Sequence, residues 1–290
     1  MDKKYCQFLS NGESKGARYS LNMPQKAFSG GIGIRNGNHP GSSLEFKDFR
    51  DYQPGDDLRQ IDWSAYARSN KLIIKMFQDE VSPHLDVVID GSCSMSLENT
   101  KKLECSLGLL SLLTTSAENA KCTYKTWIAS DGIKPVINGS LRQDIWEGID
   151  FQYTGNPEES LEKMPPKWRS NGMRILISDL LWMSDPYQFL CRFSENAAAV
   201  IIIQVMARTD IQPFIHGNTR LFDCEEGTDM EIFIDDSAKQ LYKDTLARHQ
   251  ENWIYACRKT GAIHAMIIAE ETVTNWHLPE LEQIELLGAL

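Results

Sequence analysis

The chain has 290 residues, 42% of them hydrophobic and 24% charged, and a net charge of -10. That size and balance suit one large domain, or one domain with a small module, and exclude wholesale disorder. The acid excess argues against a nucleic-acid binder. No apolar run nears the roughly 18 residues that a membrane helix needs, and the N-terminus lacks an apolar signal core, so we expect a cytoplasmic protein without a membrane span.

The seven cysteines form no CxxC pair and the six histidines no HExxH, which speaks against zinc and for a reduced compartment. Charge is uneven: residues 1–75 hold twelve Lys/Arg against eight Asp/Glu, a balance of +4 that leaves -14 for the rest. A mildly basic N-terminal module against an acidic body is one reading; an ordinary solvated surface is the plainer one.

In chain order, residues 1–45 are rich in Gly, Ser and Asn, and the run Ser29-Gly30-Gly31-Ile32-Gly33-Ile34 predicts a loop or an irregular strand. Gly30, Gly31 and Gly33 fit neither GxxxxGK[ST] nor a GxGxxG opening a helix, so no phosphate loop is expected. A dense block of charges and aromatics follows at 46–70, with a tight turn at Pro54-Gly55-Asp56. Residues 71–77 predict a strand. Residues 84–90, His-Leu-Asp-Val-Val-Ile-Asp, predict a strand buried on both faces and tipped by an acid. The period then turns helical through Leu103, Leu107, Leu110 and Leu113 to about Ala117. Strands are predicted at 123–129 and 134–137 around Asp131-Gly132, a short helix at 157–164, and a second buried strand at 173–178 before Asp179. Then come a helix at 186–194, a strand at 198–205, two short strands at 221–223 and 231–234, a long helix at 237–260 closed by Gly261, and a last strand at 263–268. Strands alternating with helices predict an α/β fold with a doubly wound, mainly parallel sheet. We draw the domains as a small β-rich module over 1–80 and the main domain over 81–290.

In such sheets ligands sit at the carboxyl ends of the strands, so Asp90 and Asp179 nominate one site. Asp90-Gly91-Ser92-Cys93-Ser94 aims one carboxylate and two hydroxyls at a single point, hard oxygen ligands that suit Mg²⁺ or Mn²⁺. This D-x-S-x-S after a buried strand resembles the metal-ion-dependent adhesion site of von Willebrand A domains. The resemblance implies that Ser92 and Ser94 ligate directly, that Asp90 and Asp179 act through water, and that a second loop supplies a Thr. Thr154 is the candidate in Tyr153-Thr154-Gly155-Asn156-Pro157; it stands a residue or two early, which leaves Asn156 as the alternative. The plainer reading is that Asp90 only caps the following helix.

The block before the sheet carries Arg50, Tyr52, Gly55, Asp56, Arg59, Ile61, Asp62 and Trp63, then Ala67-Arg68 and Lys71-Leu72. It resembles the signature of the family called domain of unknown function 58, R-x-Y-x-x-G-D-x-x-R-x-I-D-W before a von Willebrand A-like core. Leu221-Phe222-Asp223, Glu225, Gly227, Tyr242, His249 and Cys257-Arg258 agree as well, so the resemblance runs from about Phe28 to near the end. Arg50, Asp56, Arg59, Asp62 and Arg68 form either a binding surface or a structural ion network, and buried ion networks more often fix geometry than do chemistry.

The family resemblance implies a non-enzymatic interaction protein, an adaptor for a MoxR-type AAA+ ATPase in chaperone-like complex assembly. The alternative is a metal-dependent phosphatase or hydrolase acting around Asp90 and Asp179, although Ser92 stands where a D-x-D-x-T nucleophile pattern needs its second acid. Cys93 is a candidate nucleophile beside a helix, against the plainer reading of a small buried residue. Nucleic-acid binding by the N-terminal module rests on charge and aromatics alone.

Overall fold

Aliphatic runs without polar alternation need cover on both faces, and the computed structural model provides it. The structure describes residues 3–24, 27, 44–56, 58–79, 82–225 and 227–290; the glycine run at 29–34 and Asp57 lie outside them. The elements are α1 (Lys3–Gly16), β1 (Tyr19–Leu21), β2 (Leu44–Asp51), α2 (Trp63–Ser69), β3 (Ile73–Asp79), β4 (His84–Asp90), α3 (Lys102–Asn119), β5 (Thr123–Ser130), β6 (Gly132–Pro135), α4 (Pro157–Lys163), β7 (Met173–Ser178), α5 (Pro186–Phe193), β8 (Ala199–Met206), α6 (Arg208–Ile211), β9 (Gly217–Phe222), β10 (Asp229–Ile234), α7 (Asp236–Thr260), β11 (Ile263–Ile268), α8 (Ala269–Asn275), α9 (Pro279–Gln283) and β12 (Leu287–Ala289). They fall into two compact units, Gln25–Ser82 and Met1–Pro24 with Pro83–Leu290.

The larger unit is a mixed α/β structure on a six-stranded sheet of order β11-β8-β7-β4-β5-β6. Five strands run parallel, and β6 returns antiparallel to β5. Alternate residues of each strand feed two cores. Leu85, Val87 and Ile89 of β4, Ile175 and Ile177 of β7, and Ile201 and Ile203 of β8 join the leucines of α3. Val88, Leu176, Val200 and Ile202 join Phe189, Leu190 and Phe193 of α5 and Trp253 of α7 on the opposite face. Each such aliphatic contributes about 1.5–3 kcal/mol by leaving water. From β4 the chain steps to β5 in one direction, while β7, β8 and β11 build away in the other. The strand order thus reverses between β4 and β7, where an open α/β sheet leaves a crevice at its carboxyl edge.

The boundary drawn at residue 80 is redrawn by the N-terminal helix. α1 and β1 belong to the larger unit, because α1 lies on α3 through two glycines. A Cβ at Gly12 would stand 2.0 Å from the Gly108 carbonyl oxygen, and one at Gly108 would stand 1.9 Å from the Trp276 ring. β1 also pairs antiparallel with β12, Tyr19 opposite Ala289. The stretch 3–16, assigned from the sequence to a β-rich module, is therefore helix, with Phe8 and Leu9 buried under it. α3, covered by the sheet beneath and α1 and α8 above, is buried nearly all round, and Thr114, Thr115 and Ser116 turn their hydroxyls back onto its own carbonyls.

Unit 25–82 is a small antiparallel ribbon with a helical crossing. β2 pairs with β3 from Leu44 opposite Asp79 to Asp51 opposite Ile73, with a register shift between Phe46 and Asp48. Gly55 at φ +109 makes the expected turn. Asp62 opens α2: its Oδ1 accepts the Ser64 and Ala65 amides, both at 3.0 Å. No helix among the described residues is long and apolar enough to cross a membrane.

Gly12→Ala should lower stability by about 1–3 kcal/mol in urea titration, although alanine is the better helix former, because its methyl meets backbone. Asp62→Ala should cost about 1 kcal/mol, read as faster amide exchange across α2.

Candidate functional site

Asp90 is the last residue of β4 and only 1% exposed. Both its carboxylate oxygens are engaged: Oδ1 accepts the Ser92 amide at 2.9 Å and Oδ2 the Ser178 hydroxyl at 2.6 Å. Gly91 follows because a Cβ there would stand 2.8 Å from the Ala129 carbonyl oxygen. The chain then enters a 3-10 turn over Cys93–Ser96 that brings Ser92 Oγ and Ser94 Oγ to 3.0 Å. A second loop is stitched alongside: Tyr153 donates its amide to the Gly91 carbonyl at 3.2 Å, and Cys93 donates to the Tyr153 carbonyl at 2.9 Å.

Asp179 follows β7 on the neighbouring strand. Its Oδ1 accepts the Leu181 amide at 3.1 Å, and its Oδ2 accepts Lys102 Nζ at 2.9 Å. The next residue, Leu180, is buried and left-handed at φ 59, an uncommon conformation for a leucine. The Ser178 hydroxyl takes its amide at 3.0 Å, and His249 Nε2 lies 2.6 Å from its carbonyl oxygen. A third acid, Asp210 of α6, lies with Oδ2 3.3 Å from Lys102 Nζ. The hairpin of β9 and β10 brings a fourth, Glu225, in a turn held by Asp223 Oδ1 on the Glu225 amide at 2.8 Å.

These groups line a cleft of about 290 Å³ at the carboxyl edge, with Asp90, Ser92, Ser94, Asp179, Asp210 and Glu225 on its walls. Among its described residues Lys102 is the one basic side chain against five carboxylates, the fifth being Asp223. Burial, then the charge of Asp179, raises Asp90 to about 7. Burial, then the charges of Asp179, Asp223 and Glu159, raises Glu225, against a lowering hydrogen bond with Ser94. Burial alone would lower Lys102, but Asp179 and Asp210 more than offset it and hold the ammonium above its ordinary value.

Asp90, Ser92, Ser94 and Asp179 thus meet at one cleft, as the sequence suggested. Thr154 does not: it is exposed and absent from the cleft wall, where Asn156 stands instead. The loop reaches α4 directly after being pinned at Tyr153, and Asn156 caps that helix through the Glu159 amide at 3.0 Å. Cys93 is no thiolate: burial, then Cys224, pushes it up to about 12. Lys102 and Asp210 escaped the sequence reading altogether. Among the described residues no three His, Cys, Asp or Glu side chains form a group able to hold a metal. Any cation here would depend on the two serine hydroxyls, whose 3.0 Å separation matches the edge of an octahedron with ligands at about 2.0–2.1 Å.

The second group lies in unit 25–82. Arg50 Nη2 pairs with Asp56 Oδ1 at 2.7 Å, and Asp56 Oδ2 accepts the Gln53 amide at 2.8 Å. Asp62 caps α2, and Arg68 Nε donates to the Ser64 carbonyl at 3.1 Å. These bonds build the turn and the helix, which favours the structural reading of the block; Arg59 also has an interaction of its own.

Residues 48–252 match the family model described as "Protein of unknown function DUF58", and the chain belongs to that family. It is 23% identical over 262 residues to "Uncharacterized protein Rv1480" of Mycobacterium tuberculosis, covering 79% of this chain and 77% of that one. The same figures hold for "Uncharacterized protein Mb1516" of Mycobacterium bovis. Among solved structures, it is similar to the conserved hypothetical protein BatB of Bacteroides thetaiotaomicron, at 11% identity and a TM-score of 0.37 over 70% of this chain and 99% of that one. An aerotolerance-related membrane protein of Bacteroides fragilis gives 11% and 0.35, over 70% of this chain and all of its own, 100%.

Ser178→Ala removes no apolar contact but takes a hydrogen bond from buried Asp90 and from the Leu180 amide. It should cost about 1–3 kcal/mol in chemical denaturation.

Proposed function

We propose that this protein is a non-enzymatic interaction module with a von Willebrand A-like core. Its strand-end cleft takes Mg²⁺ or Mn²⁺ and, through it, a carboxylate of a protein partner. The observation that carries this is the pair of Ser92 and Ser94 hydroxyls, 3.0 Å apart, at a cleft whose carboxylates outnumber its one ammonium. Ser92 and Ser94 would hold the ion directly, with Asp90 and Asp179 acting through water. Bound there, the ion supplies a positive charge with an open position for an anionic side chain. The chain's own residues do the rest. The Ser178 hydroxyl and the Ser92 amide fix Asp90, and the Tyr153 loop fixes the serine turn.

The partner class rests on the family. We propose a MoxR-type AAA+ ATPase, with this chain as its adaptor in chaperone-like complex assembly. The alternative, a metal-dependent phosphatase or hydrolase around Asp90 and Asp179, has less support. Ser92 stands where such a nucleophile pattern needs its second acid, and Cys93 stays protonated near neutral pH.

Isothermal titration of Mg²⁺ and Mn²⁺ into the metal-free chain should show saturable binding, and the Asp90→Ala, Ser92→Ala double variant should lose it. Capture of the ATPase should then depend on the ion and fail in chelator. Binding that survives in the double variant would sink this reading.

A further inference from the structure

Lys102 is the first residue of α3 and sits in a costly place for a cation. Its side chain is 2% exposed. Lysine is almost never so buried unless paired, since an ammonium loses its hydration on burial. It also stands at a helix N-terminus, where the backbone dipole favours negative charge and opposes a positive one. Helix formation therefore does not explain it. Two carboxylates do: Asp179 Oδ2 at 2.9 Å and Asp210 Oδ2 at 3.3 Å. They arrive from the loop after β7 and from α6, 77 and 108 positions further along the chain. Both acids are anchored on their own account. Asp179 accepts the Leu181 amide, and its backbone carbonyl accepts Gln204 Nε2 at 3.0 Å. Asp210 Oδ2 accepts the Ala207 amide at 3.0 Å, and its carbonyl accepts the Tyr242 hydroxyl at 2.7 Å. The ammonium thus lies in a preformed carboxylate cradle on the wall of the cleft.

We propose that Lys102 is the built-in cation of this cleft and sets how tightly a divalent ion is held. It takes one oxygen of Asp179, the acid that a neighbouring ion would otherwise draw on, and two positive charges sharing one carboxylate repel each other. The cleft consequently holds Mg²⁺ or Mn²⁺ weakly enough for exchange, and it is not left with bare carboxylates when the ion departs. This rests on the cation reading of the cleft. It adds a determinant that neither the D-x-S-x-S pattern nor the second loop contains.

The test is the affinity of the full chain for Mn²⁺ and Mg²⁺, by titration calorimetry, in the parent and in Lys102→Met, Lys102→Gln and Lys102→Arg. Met and Gln should bind about tenfold or more tightly, within the usual span of couplings between sites. Arg, which keeps the charge, should stay near the parent. A merely structural lysine would leave affinity unchanged or weaken it, so either outcome in a folded neutral variant overturns the proposal. Binding in the neutral variants but not in the parent would support Lys102 as the resident cation while ending the reading of the parent as a metal protein. Parent binding with unchanged variants would do the reverse. No binding in any chain would overturn both. Should neither neutral variant fold, the lysine ammonium resonances of the parent decide. A saturable shift of the buried ammonium signal on Mg²⁺ titration supports the proposal, and an unmoved signal overturns it.

Discussion

Water reaches β4 at its ends and nowhere else. Strands flank it on both sides and helices cover both faces, so Val87, Val88 and Ile89 have no exposure at all. The backbone leaving such a strand must find partners at once. It does so through Gly91, whose amide meets the Ala129 carbonyl at 2.9 Å and whose carbonyl meets the Tyr153 amide. That stitching fixes the serine turn, and the reversal of strand order beside it opens the crevice into which the turn projects. The position of the cleft follows from a strand with nowhere else to put its polar groups.

Buried charge at the other end of the same strands shows what a purely structural solution looks like. Asp86 and Arg174 are register partners on β4 and β7. Asp86 accepts Trp127 Nε1 at 2.8 Å, while Arg174 stacks over Trp168 at 4.8 Å and donates to the Phe193 carbonyl at 2.6 Å. Burial lowers the guanidinium to about 10. Asp86 and Arg174 are enclosed by His84, Trp127 and Trp168, and it is the Trp168 ring that reaches a neighbouring groove beside Leu161 and Arg192. The Asp90, Asp179 and Lys102 set has similar burial but opens on a cavity wall, and that separates a group held for packing from one held for contact with something else.

Much of this was legible in the sequence because apolar runs in buried parallel strands leave little ambiguity. β4, β7, β8 and β11 stand where their aliphatic runs predict, and α7 ends at Gly261, left-handed at φ 78. α1 was obscured by the glycines that make it possible. Gly12 and Gly16 count against a helix by propensity, when their missing side chains are what let the helix lie on α3. The spacing of Tyr5, Phe8, Leu9 and Gly12 was the usable signal. Lys102 had no signal of that kind. A Lys-Lys pair at a helix start reads as solvated, and only the return of β7 and the turn after β8 buries one of the two. The displaced Thr154 reflects a loop whose length is set by the Asn156 cap on α4, which motif spacing does not encode.

The pairing of β1 with β12 and of α1 with α3 also carries a kinetic meaning. Residues 25–82 leave and re-enter the larger unit as an insertion, so docking α1 on α3 must first close a loop of some eighty residues. The entropic toll of that closure grows only logarithmically with length. On a ribosome, β1 emerges more than 260 residues ahead of the strand it pairs with. Its edge hydrogen bonds must therefore wait until those intervening residues have been made. A cotranslational intermediate that has not yet reached β12 lacks the clamp that β1 forms with it.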